Sequence, residues 1–427
     1  MAATTLMEFT DRMFLANYAV DAIAAAVPAG IAVFLMLTLF MGVTTYLNVF
    51  IAQYLGAGQP DRVGACLWQG IYFSMAGAIA LIGVSLCAGP LFEQVGHAPE
   101  VQVLEVAYFS ILCRWGGIYV LGTALACFFS GQGRTRPILA VNMVGMLFNI
   151  PLDYALINGT WGFPERGIQG AGIATVCSWT LMTLIFTGLV FTGENERRFG
   201  VVSARSLDRE LLMRIIRKGG PAALQFSMDV LAFTLFVFLI GRLGKTALAV
   251  SNIALSIESI AFMPAIGFSM GLSTLVGHAL GKNDVAGAIG CTHQTVKLLM
   301  SYTLLLDGLL IFFPEALLTL FIPSGSDAAI REQGIGVLRI VAVYISFDAM
   351  YFTFIGVLKG AGDTRFIMWS IGLISLTVMV LPLILIIGFT DWGLYACWIN
   401  LTVYVLALFT VTLIRYRQGK WRDIRVI

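Results

Sequence analysis

Carboxylates embedded in apolar runs are the most chemically telling feature of this sequence. Residues 224–240 read LQFSMDVLAFTLFVFLI, an apolar run with one carboxylate, Asp229, and VYISFDAMYF sets Asp348 in a second such run. Asp11 (LMEFTDRMF), Asp153 (FNIPLDYALI), Glu258 (SIESIAF) and Asp307 (LLLDGLLIFF) repeat the pattern. A charged side chain at the centre of a membrane helix costs about 2.5 to 3.5 kcal/mol on insertion scales. Several of them in one chain therefore imply an offsetting role, and a buried carboxylate can carry a proton or bind a hard cation.

Spacing assigns depths and faces. On a helix rising 1.5 Å per residue, Asp229 lies about 15 Å beyond Gly219, and Asp348 stands at a similar depth before Gly360. Asp153 follows Asn149 by one helical turn, so the two share a face. Pro151 between them lacks an amide and leaves a carbonyl open to a cation or water. No basic residue in their own spans offers Asp229 or Asp348 a partner, whereas Lys297 is in reach of Asp307 and points to a structural pair there. Glu258 and Arg114 (ILCRWGG) are a candidate pair lining a cavity. Asp11 adjoins Arg12, but neighbours on a helix do not face one another, so its partner is expected elsewhere.

The elements that must carry these groups follow from composition. Hydrophobic residues make up 59% of the chain and charged residues 12%, with a mean hydropathy of +0.88. This is the composition of a multi-pass, all-α membrane protein, because a hydrocarbon core of about 30 Å takes about 20 apolar residues to cross. Twelve spans are expected, centred near residues 10, 38, 76, 115, 147, 182, 229, 262, 298, 347, 376 and 404. A formal net charge of +2 gives no reason to expect a nucleic-acid partner. The seven cysteines are scattered without metal spacing, and His97, His278 and His293 are too dispersed for a metal site.

The chain is internally duplicated. IAQYLGAGQPDRVGA (51–65) pairs with VGHALGKNDVAGAIG (276–290), and GQGRTR (131–136) with GAGDTR (360–365), at nearly equal offsets. An even number of spans per half makes this a parallel repeat of two six-helix bundles. The expected boundaries are an N-lobe over 1–193, a cytoplasmic linker with the start of helix seven over 194–220, a C-lobe over 221–418 and a cytoplasmic tail over 419–427. The linker is expected to carry a short amphipathic helix ending at Gly219-Gly220-Pro221. TWGF and DWGLY read as turns on the opposite side. Basic residues crowd the linker (Arg197, Arg198, Arg205, Arg209, Arg214, Arg217, Lys218) and the tail, while Arg166, Arg242, Lys245 and Arg331 are all that fall opposite, so both termini are expected in the cytoplasm.

AQYLGAGQPDR, FNIPLDY with GIQGAGIAT, GGPAALQFSMD, FMPAIGFSMGLSTLVGHALGKND and GVLKGAGDT, in that order, resemble the multidrug and toxic-compound extrusion family. The resemblance implies a monomeric secondary antiporter of the inner cell membrane. Its two bundles would rock about a midplane cavity and export small organic, cationic or amphipathic compounds in exchange for Na⁺ or H⁺. It implies no cofactor beyond that coupling ion, and no partner beyond the small-molecule substrate and the lipid bilayer. Residue by residue, Asp11, Asn149, Asp153 and Thr175 fall on the family's amino-lobe cation positions. Asp229 and Asp348 match an acidic pair linked to Na⁺ coupling in one branch. Two positions depart from that branch: Asp153 stands where it often has Asn, and Asp229 where it usually has Glu. The start departs too, since only ten residues, about 15 Å of helix, precede Asp11. Helix one is therefore expected to be truncated, with its true start upstream of Met1.

Two other functions compete. A lipid-linked saccharide flippase of similar architecture calls for a cavity rich in Arg and Lys, and here the candidates are acidic. A membrane-embedded enzyme needs clustered metal ligands or a nucleophile with its base, and the chain has no HExxH, DDxxD or paired histidines.

Overall fold

The structure, a computed structural model, describes residues 2–94, 96–319, 328–390 and 392–427. Met1, on which the truncation expectation turns, and Asp391 of the DWGLY turn lie outside them. Regular structure among the described residues is all helical. Physics leaves apolar segments little choice: with no water in hydrocarbon, each backbone N–H and C=O must be satisfied within its own segment. Eleven helical segments among the described residues are long and apolar enough to cross a membrane. The twelfth element, α1 (Ala2–Tyr18), has 17 residues, about 25 Å of helix against a core of about 30 Å.

The chain divides into two compact units, Met1–Ala223 and Leu224–Val426. The first contains α1, α2 (Val20–Thr45), α3 (Leu47–Gly56), α4 (Asp61–Leu86), α5 (Ala88–Glu93), α6 (Pro99–Gly131), α7 (Arg136–Asn158), α8 (Gly167–Val190) and α9 (Gly193–Phe199). Extended backbone at Ala19 breaks α1 from α2. This lets α1 fold against α7 and α8, and Tyr18 ties its end to the loop before α8 through a 2.8 Å bond to Glu165.

Helix α10 (Arg209–Ile240) begins in the first unit and enters the second. The second continues with α11 (Lys245–Gly281), α12 (Val285–Phe312), α13 (Pro314–Thr319), α14 (Ala328–Ala361), α15 (Thr364–Ile374), a π-helical stretch Ser375–Val380, α16 (Leu381–Phe389) and α17 (Gly393–Arg417). The wide π turn frees backbone carbonyls. Asn400 of α17 takes one of them, donating to Met379 O at 3.0 Å.

The duplication persists in the backbone. Gly58 and Asn283, which the repeat aligns, both have left-handed φ, +71° and +58°; Gly133 and Gly362 do the same at +72° and +100°. Each pair closes the same cytoplasm-assigned turn of its half. Asn is one of the few residues besides glycine that visits this region readily.

The linker departs from expectation. No helix ends at Gly219-Gly220-Pro221; α10 runs through them unbroken. The glycines serve approach rather than termination. A Cβ on Gly219 would sit 3.0 Å from Val43 Cα, and one on Gly42 of α2 would sit 2.3 Å from Ala223 Cα, so α2 and α10 touch backbone to backbone. The preceding segment is docked on α4. Trp68 Nε1 donates to Val201 O at 2.7 Å, Gln69 bonds both Ser206 O and Asp208 N, and Tyr72 OH donates to Arg205 O. Asp208 then caps α10 through Leu211 N at 3.0 Å.

Candidate functional site

In the amino unit three helices converge on one polar cluster. Helix α1 brings Asp11, α7 brings Asn149 and Asp153, and α8 brings Thr175, all of them buried. Thr175 Oγ1 donates to Asp11 Oδ2 at 3.2 Å, so the sequence-assigned residues do meet. Asp153 lies against Asp11, carboxyl to carboxyl, with Tyr108 of α6 in electrostatic reach of both. Both Asn149 side-chain polar atoms find no hydrogen-bond partner, and neither do Asp11 Oδ1 and both Asp153 oxygens unless the two carboxyls share a proton. Two apposed carboxylates cannot both stay charged in such a place without a proton or a cation between them. Two carboxyls, an amide oxygen and a hydroxyl are also a donor set that suits a hard monovalent cation. Helix α7 passes through Pro151 without ending, and Pro151 withholds its amide from Leu147 O, as its position requires.

In the carboxy unit the cluster is larger. Helix α10 supplies Gln225 and Asp229, α11 Glu258, α14 Tyr344, Asp348 and Tyr351, and α17 Tyr404. Gln225 Nε2 donates to Asp229 Oδ2, while Asp229 Oδ1 is buried without a partner, as is Glu258 Oε2. Asp348 is in electrostatic range of two other acids, Glu258 and Asp229. Tyr344 faces Glu258, and Tyr404, bonded to Ser375 Oγ at 3.0 Å, senses both aspartates.

Two expectations from sequence need correction. The spans of Asp229 and Asp348 were expected to offer no basic partner. Instead Lys359, in the same helix as Asp348, interacts electrostatically with Asp229. Eleven residues make about three turns, so helical periodicity alone places Lys359 on the Asp348 face. Asp307 does not pair with Lys297, which is exposed; Ser346 of α14 donates to its Oδ2 at 2.6 Å, because α12 packs along α14 there. Within its own unit Glu258 has Tyr344 and Asp348 in electrostatic reach, while Arg114 is exposed on α6 of the other unit. Sequence reasoning also missed Tyr108, Gln225, Tyr344, Tyr351 and Tyr404; Gln225 was findable as the i−4 neighbour of Asp229.

The family model MatE matches residues 1–155 and 221–386, one stretch in each half of the duplicated chain. The chain is 26% identical to the probable multidrug resistance protein NorM of Thermotoga maritima, over 99% of this chain and 90% of that one. It is 27% identical to the multidrug resistance protein NorM of Vibrio cholerae, over 91% and 85%. Among solved structures, a MOP superfamily transporter from Pyrococcus furiosus superposes with a TM-score of 0.89 at 20% identity, covering 99% of this chain and 94% of that one. A MATE crystal structure in complex with MaL6 gives 0.89 at 21% identity, covering 98% and 93%. The family model's two stretches contain Asp11, Asn149 and Asp153 of the amino cluster and Asp229, Glu258 and Asp348 of the carboxy one.

Proposed function

The chain belongs to the MatE family, and on that premise we propose that it is a cation-driven antiporter that exports organic, cationic or amphipathic compounds by rocker-switch alternating access, with Na⁺ as the preferred coupling ion. It is a twelve-helix, two-lobe membrane transporter rather than an enzyme. Its relatives, named as multidrug resistance proteins, support the substrate class.

One observation carries the reading. Each unit holds apposed carboxyl groups with unpartnered oxygens deep in its helices, Asp11 with Asp153 and Asp229 with Asp348 and Glu258. Such groups need a positive charge or a proton to neutralise them, and among the species that cross the membrane that is a proton, Na⁺ or a cationic substrate. Occupancy by an inward-moving cation and by an outward-moving substrate then exclude each other, which is what antiport requires. Neutral oxygens from Asn149 and Thr175 favour a metal ion, since they cannot carry protons. A pyrophosphate-linked saccharide would want cationic groups where these acids stand. By the positive-inside rule the linker and both termini face the cytoplasm, in the inner cell membrane.

The test is transport by purified protein in liposomes loaded with a fluorescent cationic dye, under a Na⁺ gradient or a pH gradient alone. Na⁺-driven dye movement that is lost in Asp229→Asn and Asp348→Asn, with both variants monodisperse, is the expected result. Movement driven by pH, indifferent to Na⁺ and lost in Asp153→Asn but not in Asp229→Asn, would move the coupling site to the amino unit and to protons. Wild-type transport by both carboxy-unit variants would remove those acids from coupling.

A further inference from the structure

Resting on the Na⁺-coupled reading above, we propose that Lys359 is a tethered counter-cation for the carboxy-unit cluster, occupying the field of Asp229 until Na⁺ displaces its ammonium. The arrangement of α14 supports it. Asp348, Tyr351 and Lys359 recur along one face at three, eight and eleven residues' separation, and Asp229 of α10 interacts with all three. Asp229 is therefore within electrostatic reach of that face, of its acid and of its base. Helical side chains lean toward the helix N-terminus, so Lys359 leans back along α14 toward Tyr351 and Asp348. Neighbouring α15 fixes the level of α10, since a Cβ on Gly372 would come 3.1 Å from Met228 Sδ, the residue before Asp229.

The hydrogen bonds leave room for an ion. Asp229 Oδ2 already accepts from Gln225, and Oδ1 is buried without a hydrogen-bond partner. The ammonium thus balances the carboxylate through space while one oxygen stays open to coordinate. Asp229, Asp348 and Glu258 without a nearby base would hold a cation tightly, and an antiporter must also let its ion go. A like charge held beside the site weakens cation binding, and the ammonium returning to Asp229 completes the release. While Na⁺ is bound, the displaced ammonium remains near the end of α14 at Ala361, where C-terminal helix carbonyls favour a cation.

Na⁺ binding to purified full-length protein, titrated against choline at fixed pH, tests this. Lys359→Gln should bind Na⁺ about tenfold more tightly than wild type, the sense expected for removing one like charge, and should turn over more slowly in liposomes. Lys359→Arg, which keeps the charge, should bind as wild type does. A merely structural lysine would not give a gain in affinity. A second measurement needs no variant: acylation of Lys359 by a small amine reagent, read by mass spectrometry, should be faster in Na⁺ than in choline. Lys359→Gln with wild-type or weaker affinity, or acylation indifferent to Na⁺, overturns the proposal. Na⁺ binding that survives unchanged in Asp229→Asn overturns the coupling role of Asp229 itself, and the tether with it.

Discussion

Asp153 is the residue at which the amino cluster can be tested most directly. Its carboxyl is buried against that of Asp11, and neither of its oxygens has an N–H or O–H donor. Asp153→Asn replaces a like-charged neighbour with an amide that can donate to Asp11. In Na⁺-free buffer this substitution should raise stability by about 1–3 kcal/mol, the scale of satisfying a buried polar group. It should also reduce the extra stability that Na⁺ confers on the wild type. Thermal unfolding in detergent, with Na⁺ against choline, reads both; a variant less stable than wild type in choline, with its Na⁺ response intact, would show that the two carboxyls are not in conflict. Some of this site was legible in sequence. Asn149 and Asp153 declare a shared face by their spacing, and an acid in an apolar run declares a role. The contact of Asp11 with Asp153 joins helices more than a hundred residues apart, which no local pattern encodes, and only the family resemblance brought them together. Lys359 escaped because it lies near the end of its span, three turns from Asp348, where a basic residue reads as an interfacial anchor.

At the scale of the element, α2 and α10 show how glycine is used here. Gly42 and Gly30 lie in the same helix, yet a Cβ on Gly42 would collide with backbone of Ala223, while one on Gly30 would meet nothing within 4 Å. Gly42→Ala should therefore destabilise by about 1–3 kcal/mol through forced separation of the helices. Gly30→Ala should be neutral or stabilising by up to about 1 kcal/mol through helix propensity. Unfolding midpoints of the two variants, compared with wild type, check the pair; equal losses would refute close packing as the cause. The same geometry explains why Gly219-Gly220-Pro221 misled: the sequence signature of a helix end is also that of a tight helix crossing, and only the neighbour distinguishes them. The docked linker adds a pH dependence. Glu196 accepts from Val202 N at 2.5 Å and Ser203 N at 3.2 Å, and these bonds hold its pKa below the ordinary glutamate value. A lowered folded-state pKa gives a contribution fully present above the unfolded value of about 4.3 and lost as pH falls through the folded one. Proteolysis within residues 200–208 should thus accelerate only in that acidic window, and Glu196→Ala should make it fast already at neutral pH.

For the whole molecule, helix number and duplication were readable because hydropathy and repeated loop motifs are local signals, and the paired left-handed residues show the repeat reaching the backbone. The break at Ala19 and the π turn at Ser375–Val380 were not readable, since each is set by what packs beside it. Orientation is a property of the whole chain as well, and a native cysteine makes it measurable. The basic linker, docked on the start of α4 near Arg62, is assigned to the cytoplasm by the positive-inside rule. Helix α4 then runs 26 residues, about 39 Å, which is enough to cross the membrane, and ends just before Cys87. Cys87 is exposed, while the other six cysteines are buried or partly so. A membrane-impermeant maleimide added to intact cells should therefore label the wild-type protein, and Cys87→Ser should abolish that labelling. A cysteine placed in the linker by Arg205→Cys in the Cys87→Ser background should react only after the cells are permeabilised. Labelling of the linker cysteine from outside, with Cys87 protected until permeabilisation, would invert the topology and place the linker, the tail and their arginines on the outer face.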